Sequence, residues 1–232
     1  MIVLRIDPEL WIFLPPARRR AEFPVAFDGT SSLGHVVEAA GIPLTEVGSL
    51  RIASTALEPA HRPADGDAVE VGRVIRPQRV AGWDGRFLLD VHLGALARRL
   101  RILGVDTAYP DEAGDPALVD RANDERRLLL TQDRGLLKRR ALWTGAYVRG
   151  SRPDDQLADV LDRFGPPLRP WTRCTACNGE VDEVGKNEVA GALEPGTLRT
   201  QERFARCSVC GQVYWRGAHG RRLDRLVARF TH

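Results

Sequence analysis

The chain has 232 residues, 43% of them hydrophobic and 28% charged, which supplies enough apolar side chain for real cores and excludes a disordered polymer. Its 34 basic and 31 acidic residues leave a formal net charge of +3, which permits a polyanionic partner without demanding one. No apolar run approaches the about 20 residues that cross a bilayer, and the opening MIVLRIDPELWIFLPPARRR lacks the pattern of a secretory leader, so the expectation is a soluble, cytoplasmic protein. In that reducing setting the four cysteines read as metal ligands or buried thiols rather than disulfides.

Periodicity changes near residues 80 and 170, which divides the chain into segments 1–80, 81–170 and 171–232. The first opens with the alternating Ile2-Val3-Leu4-Arg5-Ile6, followed by an apolar stretch from Leu10 to Leu14 and a return strand in which Phe23, Val25 and Phe27 share a face. Ser31 or Ser32 caps a helix with Leu33, Val36, Val37 and Ala40 at helical spacing, ended by Gly41. Val47 to Ile52 and Ala68 to Val74 complete a strand, strand, helix, short-strand order, that of a β-grasp. The segment resembles the ubiquitin-like sulfur carriers of thiamin and molybdopterin synthesis, in Gly41-Ile42-Pro43-Leu44-Thr45-Glu46-Val47-Gly48 and in Gly66-Asp67-Ala68-Val69-Glu70-Val71. The carriers' terminal Gly-Gly is replaced by Val74-Ile75-Arg76-Pro77 inside a longer chain, so a docking role, with a protein partner, is expected in place of sulfur transfer.

From residue 81 short hydrophobic strands alternate with amphipathic helices. Arg86 to Val91 is a strand; Leu93, Leu96, Ala97, Leu100 and Leu103 form the apolar face of a helix; Asp115-Pro116 reads as a cap with proline in the first turn; Leu128 to Thr131 is a strand ended by Gln132-Asp133. Ala146 to Val148 and a helix from Gln156 to Phe164 follow. This is an α/β pattern with a mainly parallel sheet, in which function collects at the carboxyl ends of the strands. Asp90, Asp115 and Asp133 stand at such ends, with Asp154 and Asp155 as further acids. Carboxylates gathered there would repel one another unless Mg²⁺ or Mn²⁺ lay among them. Each acid is also explained as a helix cap. Arg98, Arg99 and Arg101 leave the apolar face of the first of these helices; Arg98, Arg99 and Arg134 offer contacts to phosphate, and solvated helix faces are often equally basic.

Cys174-x2-Cys177 and Cys207-x2-Cys210, 29 residues apart, are two compact chelates, each followed by a tight turn at Asn178-Gly179 or Gly211. Two such knuckles make the tetrahedral thiolate set of structural Zn²⁺; an iron centre or two buried dithiols are the alternatives. The segment has few large apolar residues, so the metal would supply much of its folding energy. Beyond it, Tyr214, Arg216, His219, Arg221 and Arg222 offer stacking and phosphate contacts to RNA, and core packing competes for the aromatics, most of all for Trp215.

The stretches Phe87 to Thr107 and Arg127 to Arg134 resemble the PIN-like ribonuclease-type domain at the C-terminus of the mut-seven exonuclease. Its bacterial relatives join that domain to an N-terminal ubiquitin-like domain and a zinc ribbon, and Val213-Tyr214-Trp215-Arg216-Gly217-Ala218-His219 is similar to the family sequence after the last cysteine. The resemblance implies a multidomain α+β and α/β protein: β-grasp, PIN-like domain and four-cysteine zinc ribbon. It implies RNA cleavage with Mg²⁺ or Mn²⁺ held by Asp90, Asp115 and Asp133, where Gly114 replaces a usual acid beside Asp115. A non-catalytic RNA-binding or protein-interaction protein with the same fold is the alternative.

Overall fold

The computed structural model describes residues 1–110, 112–215, 224–225 and 227–230. Packing divides the chain into two compact units, Met1–Val80 with Leu130–Tyr147, and Ala81–Leu129 with Val148–His232. Among the described residues no helix is long and apolar enough to cross a membrane.

In the N-terminal part, β1 (Ile2–Ile6) buries Ile2, Leu4 and Ile6 on one face. It pairs antiparallel with β2 (Glu22–Val25). The apolar stretch between them is a 3-10 turn, Pro8–Phe13, because Asp7 accepts a hydrogen bond from the Glu9 amide and Pro8 fixes the first position; Leu10 and Phe13 are thereby turned into the core. Helix α1 (Leu33–Ala40) is capped by Ser32, whose hydroxyl accepts from the His35 amide, and ends at Gly41 in the left-handed region, φ 119°. A Cβ at Gly41 would lie 2.8 Å from the Phe13 carbonyl oxygen, so glycine is what allows the helix end to close on that turn. Strands β3 (Val47–Ile52), β4 (Thr55–Ala56) and β5 (Ala68–Arg73) complete a sheet in the order β2-β1-β5-β3-β4, with β1 and β5 parallel at its centre. This is the expected β-grasp.

Then follow β6 (Phe87–Leu89), α2 (Gly94–Ile102), β7 (Thr107–Ala108), α3 (Asp115–Asp124), β8 (Leu128–Thr131), α4 (Arg134–Leu137), β9 (Gly145–Tyr147) and α5 (Pro153–Phe164). The sheet order is β7-β6-β8-β9, and β6 and β7 are parallel. Every residue of β6 and β8 is buried, as strands covered on both faces require. The first strand is shorter than its hydrophobic pattern: it stops at Leu89 because the Asp90 carboxylate accepts from the Val91 amide and starts a turn of 3-10 helix. Helix α2 buries Leu96, Ala97 and Leu100 as expected, and also Arg101.

The last segment carries β10 (Val181–Val184), α6 (Lys186–Val189), α7 (Pro195–Thr200), β11 (Phe204–Cys207) and β12 (Val213–Trp215). The strands form an antiparallel ribbon in the order β10-β11-β12. Its core is small: Val189, Phe204 and Val213 are buried, with Val184, Leu193 and Leu198 against them. Trp215, for which core packing was the expectation, is 40% exposed at the end of the edge strand. Arg216, His219, Arg221 and Arg222 lie outside the described residues.

Candidate functional site: strand-end acids and a four-cysteine centre

Asp90 ends β6 and is 6% exposed, with Oδ1 accepting from the Val91 amide at 2.6 Å. Tyr109 Oη donates to the Val91 carbonyl at 2.7 Å and lies against Gly94, where a Cβ would meet it at 2.8 Å. The absence of a side chain at Gly94 therefore lets the tyrosine pin the turn that carries Asp90. Asp115 is half-buried, but Gly114 occupies the cap position; Asp115 is the first helical residue, where an acid is favoured by the helix dipole. The cap expected at Asp115 is thus displaced by one residue.

In the first unit Asp133 follows β8 and caps α4. Its Oδ1 accepts from the Gly135 amide at 2.6 Å and the Leu136 amide at 3.4 Å, and its own amide donates to Thr131 Oγ1 at 2.8 Å. Both cap bonds therefore land on one carboxylate oxygen. Asp154, in the first turn of α5, is paired with Arg99 Nε at 2.7 Å and Arg229 Nη1 at 3.8 Å; Asp155 is exposed beside it. Among the described residues Asp90, Asp115, Asp154 and Asp155 are not gathered three together as a metal-ligand group.

The basic residues divide sharply. Arg98 is exposed on α2. Arg99 is committed to Asp154 and to the Ala95 carbonyl. Arg101, expected on the solvent face, is 4% exposed and donates from Nε to the Thr107 carbonyl at 2.9 Å and from Nη1 to the carbonyls of Thr175 at 3.1 Å and Ala176 at 2.7 Å. Arg134 donates to the carbonyls of Phe13 and Ile12.

The four cysteines do converge. Their sulfurs lie within 4.8 Å of one another, with Cys174 and Cys210 Sγ 3.6 Å apart and Cys177 and Cys207 Sγ 3.5 Å apart. A tetrahedron of thiolates at the Zn–S length has edges of about 3.8 Å, so the donor set fits a metal of that size. The amides of Cys177, Gly179 and Val209 point at sulfur at 3.4 to 3.5 Å. Gly179 is required there, since a Cβ would sit 2.8 Å from Cys207 Sγ. Tyr214 Oη reaches Cys174 Sγ at 3.0 Å and the Thr175 amide at 3.1 Å. Burial raises the Cys174 thiol, but the hydrogen bond from Tyr214 and those from the Cys177 and Ala176 amides outweigh it and bring it down to about 6, so this sulfur is ready as a thiolate ligand. The Tyr214 hydroxyl is therefore engaged inside the centre.

A polar dock fastens the first knuckle to β7. Asn178, at φ 70°, accepts from the Thr107 amide at 2.9 Å and donates to Asp106 Oδ1 at 2.8 Å. Asp106 also receives Arg127 Nη1 at 2.6 Å and Arg173 Nη2 at 3.3 Å. Burial disfavours the Asp106 carboxylate, but the hydrogen bonds from Arg127 and Asn178 and the charges of Arg127 and Arg173 prevail and hold it below its ordinary range. Sequence patterning passes over this network because it counts a helix arginine as solvated; the usable signal is an Asn directly after a C-x2-C knuckle.

Residues 85–227 match the model of the Mut7-C RNAse domain. The chain belongs to the Mut7-C RNAse domain family. Residues 1–79 match the Mut7-C ubiquitin model. The two matches meet across a short junction, so this Mut7-C protein carries a ubiquitin-like β-grasp module, a parallel-sheet PIN-like domain of nuclease type and a cysteine centre able to hold a metal ion. No curated protein and no solved structure matches the chain.

Proposed function

We propose that this Mut7-C protein is a cytoplasmic, divalent-metal-dependent ribonuclease in which Asp90, Asp115 and Asp133 hold Mg²⁺ or Mn²⁺ and the four cysteines hold a structural Zn²⁺. The observation that carries the reading is Asp90, a nearly fully buried acid at the carboxyl end of a buried β-strand in a domain of ribonuclease type. Strand ends are where α/β folds place their chemistry. Asp115, in the first turn of α3, and Asp133, with both cap bonds on one oxygen, are carboxylates, the hard oxygen ligands these cations prefer. When bound, the cation would neutralise phosphodiester charge and lower the pKa of a water. The chain's part is to hold the acids in place: Tyr109 fixes the Asp90 turn, and Thr131 with the α4 amides fixes Asp133. Exposed Arg98 is suited to a phosphate of the RNA strand.

The competing reading is a folded binder without turnover, favoured by the structural bonds that Asp90 and Asp133 already make. Replacement by Asn separates the two, because Oδ1 survives as an acceptor and the caps persist. Asp90→Asn or Asp133→Asn is expected to lower Mn²⁺-dependent cleavage of a single-stranded RNA at least tenfold with the melting temperature within a few degrees of wild type. Wild-type protein inactive across a panel of RNAs with both cations, or activity surviving both substitutions, assigns the chain to binding.

A further inference from the structure

The Mut7-C ubiquitin match ends at residue 79, yet the first compact unit does not: it takes in residues 130–147, which lie inside the RNAse-domain match. Specific side-chain contacts account for this. Arg134 donates from Nη1 to the Phe13 carbonyl at 3.1 Å and from Nη2 to the Ile12 carbonyl at 2.6 Å, with its guanidinium 5.4 Å from the Phe13 ring centroid. Lys138 Nζ donates to the Glu38 carbonyl at 2.7 Å, near the C-terminal end of α1. The Tyr147 amide donates to Glu46 Oε1 at 2.8 Å, and Glu46 is 1% exposed. Tyr147 meets Phe13 edge-on, ring centroids 5.1 Å apart.

These contacts have a direction. The cations come from α4 and its end, and the acceptors are carbonyls near the ends of the Pro8–Phe13 turn and of α1, where backbone oxygens are open to donors from outside the helix; the Glu38 oxygen accepts from the Gly41 amide as well. A guanidinium spanning two successive carbonyls fixes both position and orientation, which a single ammonium does not. Arg134 directly follows Asp133, so anchoring its side chain fixes the backbone that presents the acid.

We propose that the ubiquitin-like module is a positioning element for Asp133, acting through Arg134 on the Ile12 and Phe13 carbonyls and through Glu46 on the Tyr147 amide, and not a detachable recruitment tag. The inference rests on the reading of Asp133 as a cation ligand and assigns Arg134 and Glu46 as positioning residues for it. Removing either grip loosens the Asp133 cap on α4 and weakens cation binding, while the cysteine centre and the β-grasp core persist.

The test uses the full chain with two readouts, hydrogen exchange over residues 132–138 and the Mn²⁺ dissociation constant. Arg134→Ala is expected to speed exchange at the Gly135 and Leu136 amides about tenfold and to weaken Mn²⁺ at least fivefold, with zinc content unchanged. Arg134→Lys is expected to fall between the two. Glu46→Ala should act in the same sense and Glu46→Gln, which keeps a carbonyl oxygen for Tyr147, should resemble wild type. Arg134 is exposed, so its variants decide the matter if Glu46→Ala fails to fold. Unchanged protection in Arg134→Ala overturns the proposal. So does loosened exchange with unchanged Mn²⁺ affinity while Asp133→Asn lowers that affinity. If Asp133→Asn itself leaves Mn²⁺ binding intact, the ligand reading of Asp133 falls and takes this inference with it, a result distinguishable from the other two.

Discussion

The β-grasp and the cysteine ribbon solve the same problem by different means. The first buries Ile2, Leu4, Ile6, Leu10, Phe13, Leu33, Val37 and Val69 in one continuous cluster, whereas the core described for the ribbon rests on Val189, Phe204 and Val213. So small a core cannot by itself offset the entropy of ordering the described stretch 171–215 at about 1.5 kcal/mol per residue. The ribbon replaces apolar area with four converging sulfurs and with the dock of Arg101, Asp106, Arg127 and Asn178. One region is held by non-directional burial and tolerates adjustment; the other is held by directional bonds and does not.

The sharpest way to break this contrast is to remove the metal. Purified protein is expected to carry one Zn²⁺ per chain by elemental analysis, and Cys174→Ser with Cys207→Ser should forfeit binding energy on the order of 10 kcal/mol, read as lost exchange protection in residues 181–215 with the β-grasp still protected. Four freely titratable thiols in metal-free native protein would remove the contrast. A smaller effect is expected from Leu4→Ala, which opens a cavity in a fully buried site and should cost about 3 kcal/mol by denaturant titration of the first unit, with zinc content untouched. The smallest comes from Asp106→Asn, about 2 kcal/mol, and it carries a pH signature. Because the Asp106 pKa is lowered in the folded protein, its contribution is complete above the unfolded carboxylate value of about 4 and disappears as pH falls through the folded value. The difference in melting temperature between wild type and variant should therefore be constant above about pH 5 and shrink below about pH 4; a difference independent of pH in that range would show that packing, not charge, makes the dock.

What the sequence discloses follows the same division. Ser32, the Leu33-Val36-Val37-Ala40 face and Gly41 are legible because a helix start, stripe and stop depend on neighbours in the chain. The cysteine pairs are legible because chelation fixes their spacing. Asp115 misses its cap by one residue, an ambiguity that local preferences cannot resolve. Arg101 and Glu46 are opaque for a deeper reason. Helical spacing places Arg101 among solvated arginines, whereas acceptors 6, 74 and 75 residues onward compensate its burial. Glu46 carries no local signal of burial, because the Tyr147 amide that donates to its carboxylate comes 101 residues later. For the acids, the alternation of strands and helices identifies the ends of strands; which oxygen of Asp133 is occupied is set by the closing turn of α4.

The pairing of Arg134 with carbonyls 121 and 122 residues earlier also constrains synthesis. A nascent chain that has released residues 1–80 has every strand of the β-grasp, yet its Ile12 and Phe13 carbonyls face water and the Glu46 carboxylate has not met its donor. At ordinary translation speeds the remaining stretch to Tyr147 emerges on the order of several seconds later, far longer than a small domain needs to fold. A β-grasp that folds as it emerges would wait on the ribosome as a template, and the strand and helix bearing Asp133 would be received by a surface already in place.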